Sequence, residues 1–418
     1  MPVLEPRRFP ALDVRNYRLY WIGAVLTNNG RWAQYVATYF IIYQLTGSAA
    51  WVGMAGFANF VPMLLVNPVA GWISDNLDRR RLLRAVNGVA ALTAAGMAVA
   101  WAAGLRSPGG WVGLFFLNGI VSGLMIPVGQ AFVAECVPQG YLRNAITLNS
   151  TQFNAARALG PAIGGLILGI AGAGWTLAAV VLFYGPMVVC LSLMDPTELH
   201  RRVREPAQRA GRRPAVLADY RASVRYVFAS PGIVTAIVTV SFISTLAMPV
   251  VQQVVVFAED VFEVSPFLFG LLGSAQGIGA VLSAPMVAGV IGRLRPSTQQ
   301  FAATTGYGLA VAAFALAPTY AMGFGALAAI GLTHLVSASN LNSVVQLQVD
   351  DAMRGRVMAI YMVGVLGPAP FANLLVGWLI SVYGPRPVVA ACGGLLVLAA
   401  LVLRSSGRLA HLDTEFDA

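Results

Sequence analysis

Apolar runs long enough to cross a lipid bilayer recur along this sequence and constrain its fold more than any other feature. Each run has about 20 residues, which matches a hydrocarbon core roughly 30 Å thick. Short polar or charged segments separate the runs, and charged residues make up only 11% of the 418 residues. Because soluble domains carry roughly 25% charged residues, the composition predicts a chain embedded in a membrane.

The runs predict an all-α membrane protein with twelve transmembrane helices in two six-helix, pseudo-symmetric bundles. The longest hydrophilic stretch divides the chain nearly in half. We therefore expect an N-terminal bundle at 1–194, a cytoplasmic linker at 195–231 and a C-terminal bundle at 232–418. The predicted spans are 18–45, 50–73, 82–104, 111–135, 145–169, 175–194, 232–257, 267–291, 299–317, 321–347, 357–381 and 386–404.

Arginines are concentrated on one side of the predicted membrane. Arg106 and Arg386 are the only ones on the other side, and the positive-inside rule then puts both termini in the cytoplasm. The net charge of +10 does not indicate nucleic acid, because the arginines fall between spans rather than on one soluble face. We expect a multi-pass protein of a bacterial inner membrane, surrounded by lipid, with no nucleic-acid partner.

The linker contains apolar residues at three- and four-residue spacing, namely Leu217, Tyr220, Val224 and Val227. This spacing predicts a short amphipathic helix on the membrane surface. A solvated basic loop is the alternative.

The two halves share residues at matched places in the helix order. Arg143 and Gly164 correspond to Arg356 and Gly377 at one constant offset. The second and eighth spans match at another offset, which pairs Ser48, Gly53, Gly56 and Pro68 with Ser265, Gly270, Gly273 and Pro285. The matches indicate duplication, and two related halves are a transporter architecture.

A glycine, an acid and a basic cluster follow the second span as Gly71, Asp75 and Arg79 to Arg81. Gly71 would permit close helix approach, Asp75 would meet a helix N-terminus, and Arg79 and Arg80 would pair with acids or lipid phosphates. Glu135 would pair with Arg143 or with this cluster. The spacing resembles the loop between helices two and three of the major facilitator superfamily. A loop that only fixes topology is the alternative.

The fifth span contains Arg157, Gly160, Pro161 and Gly164. Small residues four apart favour close helix packing, and the proline bends the helix, so we expect Gly160 and Gly164 at the interface between the halves. The segment is similar to the antiporter motif of exporters in the same superfamily, which implies export. An ordinary packing face is the alternative.

Two further segments narrow the resemblance. Residues 127–138, with the following Leu142 to Ile146, and Tyr43 to Ser48 are similar to the enterobactin-exporter-like and macrolide-efflux-like branch of that superfamily. The superfamily resemblance covers nearly the whole chain. It implies two bundles that rock around a central cavity lined by the first, fourth, seventh and tenth helices.

Polar side chains on those spans are the expected substrate-binding residues, since burying them in hydrocarbon is costly. Arg31 is near the middle of the first span, and our hypothesis is that its guanidinium receives an anionic group. The alternative is that Arg31 extends towards the interface or bonds neighbouring Asn and Gln side chains. Glu259, Asp260 and Glu263 are expected in a solvated outer loop. The substrate-binding set is Asn28, Arg31, Gln34, Tyr35, Asn118, Gln130, Ser244, Gln252, His334 and Asn340.

The function predicted from these features is proton-coupled export of a small molecule by alternating access. The substrate would be a drug-like compound, a siderophore or a secondary metabolite, and an anionic one on the Arg31 hypothesis. We expect the protein to be a monomer. Uptake by the same fold and a non-transporting sensor are the alternatives. We expect no enzyme, since the spans lack convergent catalytic groups, and we expect no cofactor and no metal.

Overall fold

The computed structural model describes residues 9–200, 216–289, 293–351 and 353–413. Within these ranges the chain is built of helices joined by short turns, with no β-strand. The N-terminal half contains α1 (Arg15–Thr46), α2 (Ala49–Asn76), α3 (Arg79–Ala102), α4 (Pro108–Val133) and α5 (Leu142–Leu193). After α6 (Val216–Ala229) come α7 (Pro231–Leu246), α8 (Met248–Gln252), α9 (Val254–Val256), α10 (Pro266–Ala288), α11 (Pro296–Leu316), α12 (Tyr320–Gln348), α13 (Arg354–Leu366), α14 (Pro368–Tyr383) and α15 (Pro385–Ser405).

The predicted spans coincide with these helices. Within the described ranges, nine helical segments are long and apolar enough to cross a membrane. One of them, α5, carries the fifth and sixth predicted spans together. The other two predicted spans are α1 and α11, whose buried polar side chains lower their hydropathy. The chain is therefore an all-α, multi-pass membrane protein, and the prediction of its class is confirmed.

Gly172 turns the chain between the two spans of α5. Its φ of 81° and ψ of 176° lie in a region that side chains with a Cβ rarely adopt, and glycine enters it at little cost. The turn lets residues 142–171 and 173–193 cross the membrane in opposite directions. Within each half the other spans are joined by short loops, so sequential spans lie antiparallel.

The buried apolar core is shared at one end of the molecule and divided at the other. We call the end where α1 begins the inner end and the opposite end the outer end. At the outer end one cluster joins both halves, from Val36 on α1 to Leu396 on α15. At the inner end one cluster lies within residues 11–199 and a separate one within residues 227–412. Among the described residues, the apolar core is therefore continuous between the halves only towards the outer end.

Two glycine-lined seams join the halves. In the first, α2 packs on α14, and a Cβ on Gly53 would overlap the carbonyl oxygen of Asn373. In the second, α5 packs on α10, and a Cβ on Gly165 would lie 2.6 Å from the Cα of Gly270. Gly53 and Gly270 are counterparts in the predicted repeat, and each lies in one of the seams. Glycine at these positions allows backbones to touch.

The helix α6 occupies part of the predicted linker. Val227 is buried against the inner core of the C-terminal half, while Phe228 is exposed. The side chains of Leu217 and Tyr220, and the arginines between 201 and 215, lie outside the described residues.

Candidate functional site

A cavity with many polar residues in its lining lies in the inner half of the N-terminal bundle, between α1, α3, α4 and α5. Its volume is about 180 Å³. Three of the predicted site residues line it, namely Asn28, Arg31 and Gln130. The remaining polar lining consists of Tyr20, Thr27, Asn87, Asn149, Ser150, Gln152 and Asn154. Polar groups that converge on a concave site are the usual mark of a small-molecule site.

Arg31 is the only charged residue in the lining of this cavity. Its side chain is only 4% exposed, and its Nε is buried without a hydrogen-bond partner. The guanidinium carbon lies 5.3 Å from the ring centroid of Phe153, a cation–π contact. Within the described residues no ion pair or hydrogen bond reaches Arg31. A buried cation without a counter-ion is costly, so the site favours an anionic occupant.

Amide side chains form a chain of hydrogen bonds beside Arg31. Asn28 donates from Nδ2 to Oε1 of Gln152 at 3.0 Å, and Gln152 donates from Nε2 to Oδ1 of Asn149 at 3.1 Å. Asn28 and Arg31 are three residues apart and share one face of α1. Gln130 reaches the cavity from α4 and is exposed. Sequence reasoning missed Gln152 and Phe153, although both lie on the span that carries Arg157.

Three predicted site residues form a packed cluster further along α1 and α4. Gln34 is fully buried, accepts from the Tyr184 hydroxyl at 2.9 Å and donates to the Met97 sulfur at 3.2 Å. Tyr35 packs edge-on against Trp32 and Phe115. Asn118 donates to Asn59 at 3.3 Å, and Asn59 donates to the Tyr35 hydroxyl at 3.4 Å. None of the three lines the cavity.

The predicted residues of the C-terminal half are scattered. Ser244 donates to the carbonyl oxygen of Val365 at 2.7 Å. Asn340 donates to the carbonyl oxygen of Pro296 at 3.0 Å and to Oε1 of Gln300 at 3.1 Å. Gln252 is half-buried at the end of α8. His334 packs edge-on against Tyr307, with ring centroids 5.8 Å apart.

Arg157 bonds to no backbone carbonyl of the described residues, as a basic residue on a packing face would. Its Nε is buried without a partner, and it interacts electrostatically with Tyr307 and His334 of the opposite half. The Tyr307 hydroxyl and His334 Nδ1 are also buried without partners. Tyr307 was not predicted, because a lone tyrosine in an apolar span gives no signal for such a cluster.

The loop between α2 and α3 makes some of the expected contacts. Arg79 donates from Nη1 to Oε1 of Glu135 at 2.7 Å, one of the two pairings predicted for that acid. Arg80 donates to the carbonyl oxygens of Leu191 and Ser192 at the inner end of α5. Arg143 is exposed. The side chain of Asp75 lies outside the described residues.

The prediction of close helix approach at Gly71 is wrong for this conformation. Among the described residues, no neighbouring atom lies within 4 Å of the position of a Cβ there. Gly71 is exposed near the inner end of α2, where the cores of the two halves are separate.

The prediction for Gly160 and Gly164 is also corrected, because both face α1 of their own half. A Cβ on Gly160 would lie 2.5 Å from the Cβ of Trp32, and one on Gly164 would lie 2.7 Å from the Cα of Ala33. The seam with α10 is instead made by Pro161 and Gly165, one residue further along α5. One residue turns a helix by about 100°, which moves the contact to the neighbouring face.

The outer acids are not simply a solvated loop. Glu259 and Asp260 lie in a π-helical turn, Phe257–Val261, and both accept hydrogen bonds from α1 of the other half. The Tyr43 hydroxyl donates to Oδ2 of Asp260, and Gln44 donates from Nε2 to Oε2 of Glu259 at 2.9 Å. We call these four residues the outer latch. It joins the halves at the end opposite to the cavity.

A larger groove of about 850 Å³ lies between α7 and α15. Its lining is mostly apolar, including Phe242, Leu395 and Leu398. Its few polar side chains include Ser241, Thr245 and Arg408, and the predominance of apolar surface suits contact with acyl chains.

Solved transporters share the fold over nearly the whole length. A bacterial homologue of the human lysosomal transporter Spinster, solved in an inward-facing and unoccupied conformation, aligns with a TM-score of 0.69 at 16% identity, over 97% of this chain and 98% of its own. The nucleoside transporter NupG aligns with a TM-score of 0.73 at 13% identity, over 93% and 99%. At these identities the likeness shows the fold alone.

The family match and the relatives below make this chain a secondary transporter of the major facilitator superfamily. Within it, the chain belongs to the transmembrane secretion effector family, which matches residues 8–417. The staphyloferrin A transporter of Staphylococcus aureus is 25% identical over 374 residues, covering 88% of this chain and 90% of the relative. The enterobactin exporter EntS of Escherichia coli K12 is 26% identical over 382 residues, covering 88% and 86%.

Proposed function

We propose that this protein exports an anionic small molecule of the siderophore class from the bacterial cytoplasm, coupled to proton entry. The observation that carries the proposal is Arg31, a buried cation without a counter-ion that lines a cavity in the inner half of the molecule. Two relatives are named for staphyloferrin A and enterobactin, which supports this substrate class. Amide groups of Asn28, Gln130 and Gln152 would bind the neutral polar atoms of the substrate.

The membrane arrangement in this proposal follows the arginine distribution. Both termini lie in the cytoplasm of an inner-membrane protein, with bundles at 1–194 and 232–418 and the linker at 195–231 between them. The protein acts as a monomeric transporter and not as an enzyme. The inner end, where the cavity lies, then faces the cytoplasm and loads the substrate.

Outward transport would require the outer latch to open. Tyr43 and Gln44 would leave Asp260 and Glu259, and the shared outer core would divide. The cavity would then release its occupant outside. Proton entry would drive the return of the empty protein.

Flux in proteoliposomes tests the anion-receiving role of Arg31. We expect wild-type protein to transport citrate-type or catechol-type siderophores when the pH gradient is imposed, and to transport the cationic dye ethidium poorly. Arg31→Gln removes the charge and should lower siderophore flux by about tenfold or more, because a hydrogen bond to a charged group contributes roughly 1.5–3 kcal/mol. Arg31→Lys keeps the positive charge but lacks the planar guanidinium, so its siderophore flux should lie between those of wild type and Arg31→Gln.

Arg106→Gln is the matched control. Arg106 also lies over an aromatic ring, 3.8 Å from the centroid of Trp101, but at the outer surface, so its loss should leave flux unchanged. Preference for anions that persists in Arg31→Gln would rule out the proposed role. Accumulation of substrate on the membrane side that carries the termini would instead identify an uptake permease. Absence of flux with every probe would identify a non-transporting sensor.

A further inference from the structure

We propose that a small monovalent anion, a halide or a carboxylate, binds between Arg157, Tyr307 and His334 and bridges the two halves of the protein. This site is separate from the Arg31 cavity, whose lining contains none of the three. Arg157 comes from α5 of the N-terminal half, whereas Tyr307 and His334 come from α11 and α12 of the C-terminal half. The inference does not depend on the proposed substrate.

The first observation is a half-buried arginine that has no counter-ion among the described residues. Nε of Arg157 is buried and makes no hydrogen bond, and no ion pair to Arg157 exists within the described residues. A guanidinium deep in a bilayer costs roughly 2.5–3.5 kcal/mol even on insertion scales. Such a cation normally meets an acid, a water-filled space or a ligand. Here its electrostatic neighbours are a tyrosine and a histidine.

The second observation is that those neighbours are themselves unsatisfied. Tyr307 is 0% exposed, and its hydroxyl has no hydrogen-bond partner. His334 packs edge-on against the Tyr307 ring and has an unpartnered Nδ1. Buried polar atoms in folded proteins are nearly always bonded. Three unbonded groups in electrostatic reach of one another therefore indicate one shared partner that is bound by all of them.

The helices around the cluster cannot shift readily to satisfy these groups. A Cβ on Gly277 of α10 would lie 2.5 Å from the carbonyl carbon of Arg157. A Cβ on Gly331 of α12 would overlap the carbonyl oxygen of Gln276. Backbones in contact on α5, α10 and α12 fix where the side chains of Arg157 and His334 start. The partner must come from outside the protein.

Charge and donor type select an anion. The guanidinium Nε–H and the phenol O–H are donors, and imidazole donates from Nδ1 in one tautomer. The site thus offers one positive charge and up to three donors, which suits chloride or a carboxylate group. Arg157 and His334 are only half-buried as whole residues, so a small ion can reach the site. An anion held there would stabilise the conformation in which α5 touches the C-terminal half.

Thermal unfolding of the purified full-length protein tests the site. Sodium gluconate, whose anion is too bulky for a buried site, serves as the reference salt at constant ionic strength. We expect bromide, chloride and acetate to raise Tm saturably, because a ligand that binds only the folded state stabilises it. Bromide should also give an anomalous diffraction peak between Arg157, Tyr307 and His334. A response to bromide alone assigns the site to halides, and a response to acetate alone assigns it to carboxylates.

Variants locate the response. Arg157→Gln should weaken apparent bromide affinity about tenfold or more. Tyr307→Phe is the second variant, for use in case Arg157→Gln does not fold. It removes an unbonded hydroxyl, so it should be at least as stable as wild type in gluconate and yet respond less to bromide. Tyr184→Phe is the control, since its hydroxyl already bonds to Gln34; it should lose stability equally in both salts.

Arg31→Gln separates this inference from the proposed function. It should abolish siderophore preference and leave the bromide response intact. Equal Tm in bromide, acetate and gluconate would overturn the anion site and leave water as the partner of the cluster. A bromide response that disappears in Arg31→Gln and survives in Arg157→Gln would overturn it as well.

Discussion

The outer and inner ends of this transporter are held together differently. At the outer end, one apolar cluster, two glycine seams and the outer latch join the halves. At the inner end, each half has its own apolar cluster. An alternating-access protein must exchange contacts between its halves while it keeps those within each half. Variants at the two kinds of contact should therefore fail in different ways.

Neighbouring glycines on α5 give the sharpest comparison, and the larger effect is expected at Gly164. Gly164→Leu places a side chain against the α1 backbone, 2.7 Å from Ala33 Cα at its first atom. Overpacking costs roughly 1–3 kcal/mol, and here it falls within one half, in every conformation. We expect lower membrane abundance and a lower Tm, measured by fluorescence-detected size-exclusion chromatography. Normal abundance and Tm would show that α1 and α5 separate easily.

Gly165→Leu should spare folding and change the conformation. Its side chain would enter the seam with α10, where Gly270 Cα lies 2.6 Å from the position of the Cβ. Since this seam must open during transport, we expect near-normal abundance with lost flux. Distances between spin labels at the outer ends of α1 and α10 should increase. Unchanged distances together with normal flux would contradict the assignment of this face to the seam.

The contrast between these glycines shows what the sequence can and cannot predict. Hydropathy predicts the spans, because each must be apolar over about 20 residues. Small-residue spacing predicts that α5 has a close partner, but it leaves open which helix lies on which face. Gly160 and Gly164 were assigned to the wrong neighbour for that reason. The rotation of one helix about its axis, which decides which face meets which neighbour, depends on the packing of the whole bundle.

The same limit applies to polar residues. Arg31 was predicted because a charge at mid-span is conspicuous. It lies in the cavity together with Asn28, three residues earlier on the same face of α1. The latch acids were expected only in a solvated loop; Asp260 is exposed, but the sequence does not show that α1 ends beside these acids and bonds to them. Tyr307 and Gln152 could be found only once α5, α11 and α12 were in place. Pairings between distant helices lie beyond one-dimensional spacing.

A smaller effect is expected at the outer latch. Tyr43→Phe removes one hydrogen bond to Asp260, and a bond to a charged group contributes roughly 1.5–3 kcal/mol. The bond exists only while the outer end is closed, so its loss should raise the outward-open population about tenfold or more. Spin-label distances across the outer end would measure this shift. Tyr39→Phe, on the same helix and buried in the core, should leave those distances unchanged.

The smallest effect is expected for Glu135→Gln at the inner end. Glu135 and Arg79 lie within one half, and their side chains are 12% and 21% exposed. Arg79 also donates to Ser74 at 2.9 Å, so the substitution leaves it partly bonded. We expect a drop of about 1 kcal/mol in stability and less than a tenfold loss of flux.

A double-mutant cycle with Arg79→Gln would isolate the coupling between the two side chains. Arg143→Gln, the other pairing that the sequence allowed, should show no coupling to Glu135, because Arg143 is exposed and unpaired within the described residues. Coupling to Arg143 that exceeds coupling to Arg79 would mean that the pair exchanges partners during transport. The inner end would then also exchange contacts during transport. The difference between the two ends would reflect the conformation described here and not a permanent difference in how the ends are held together.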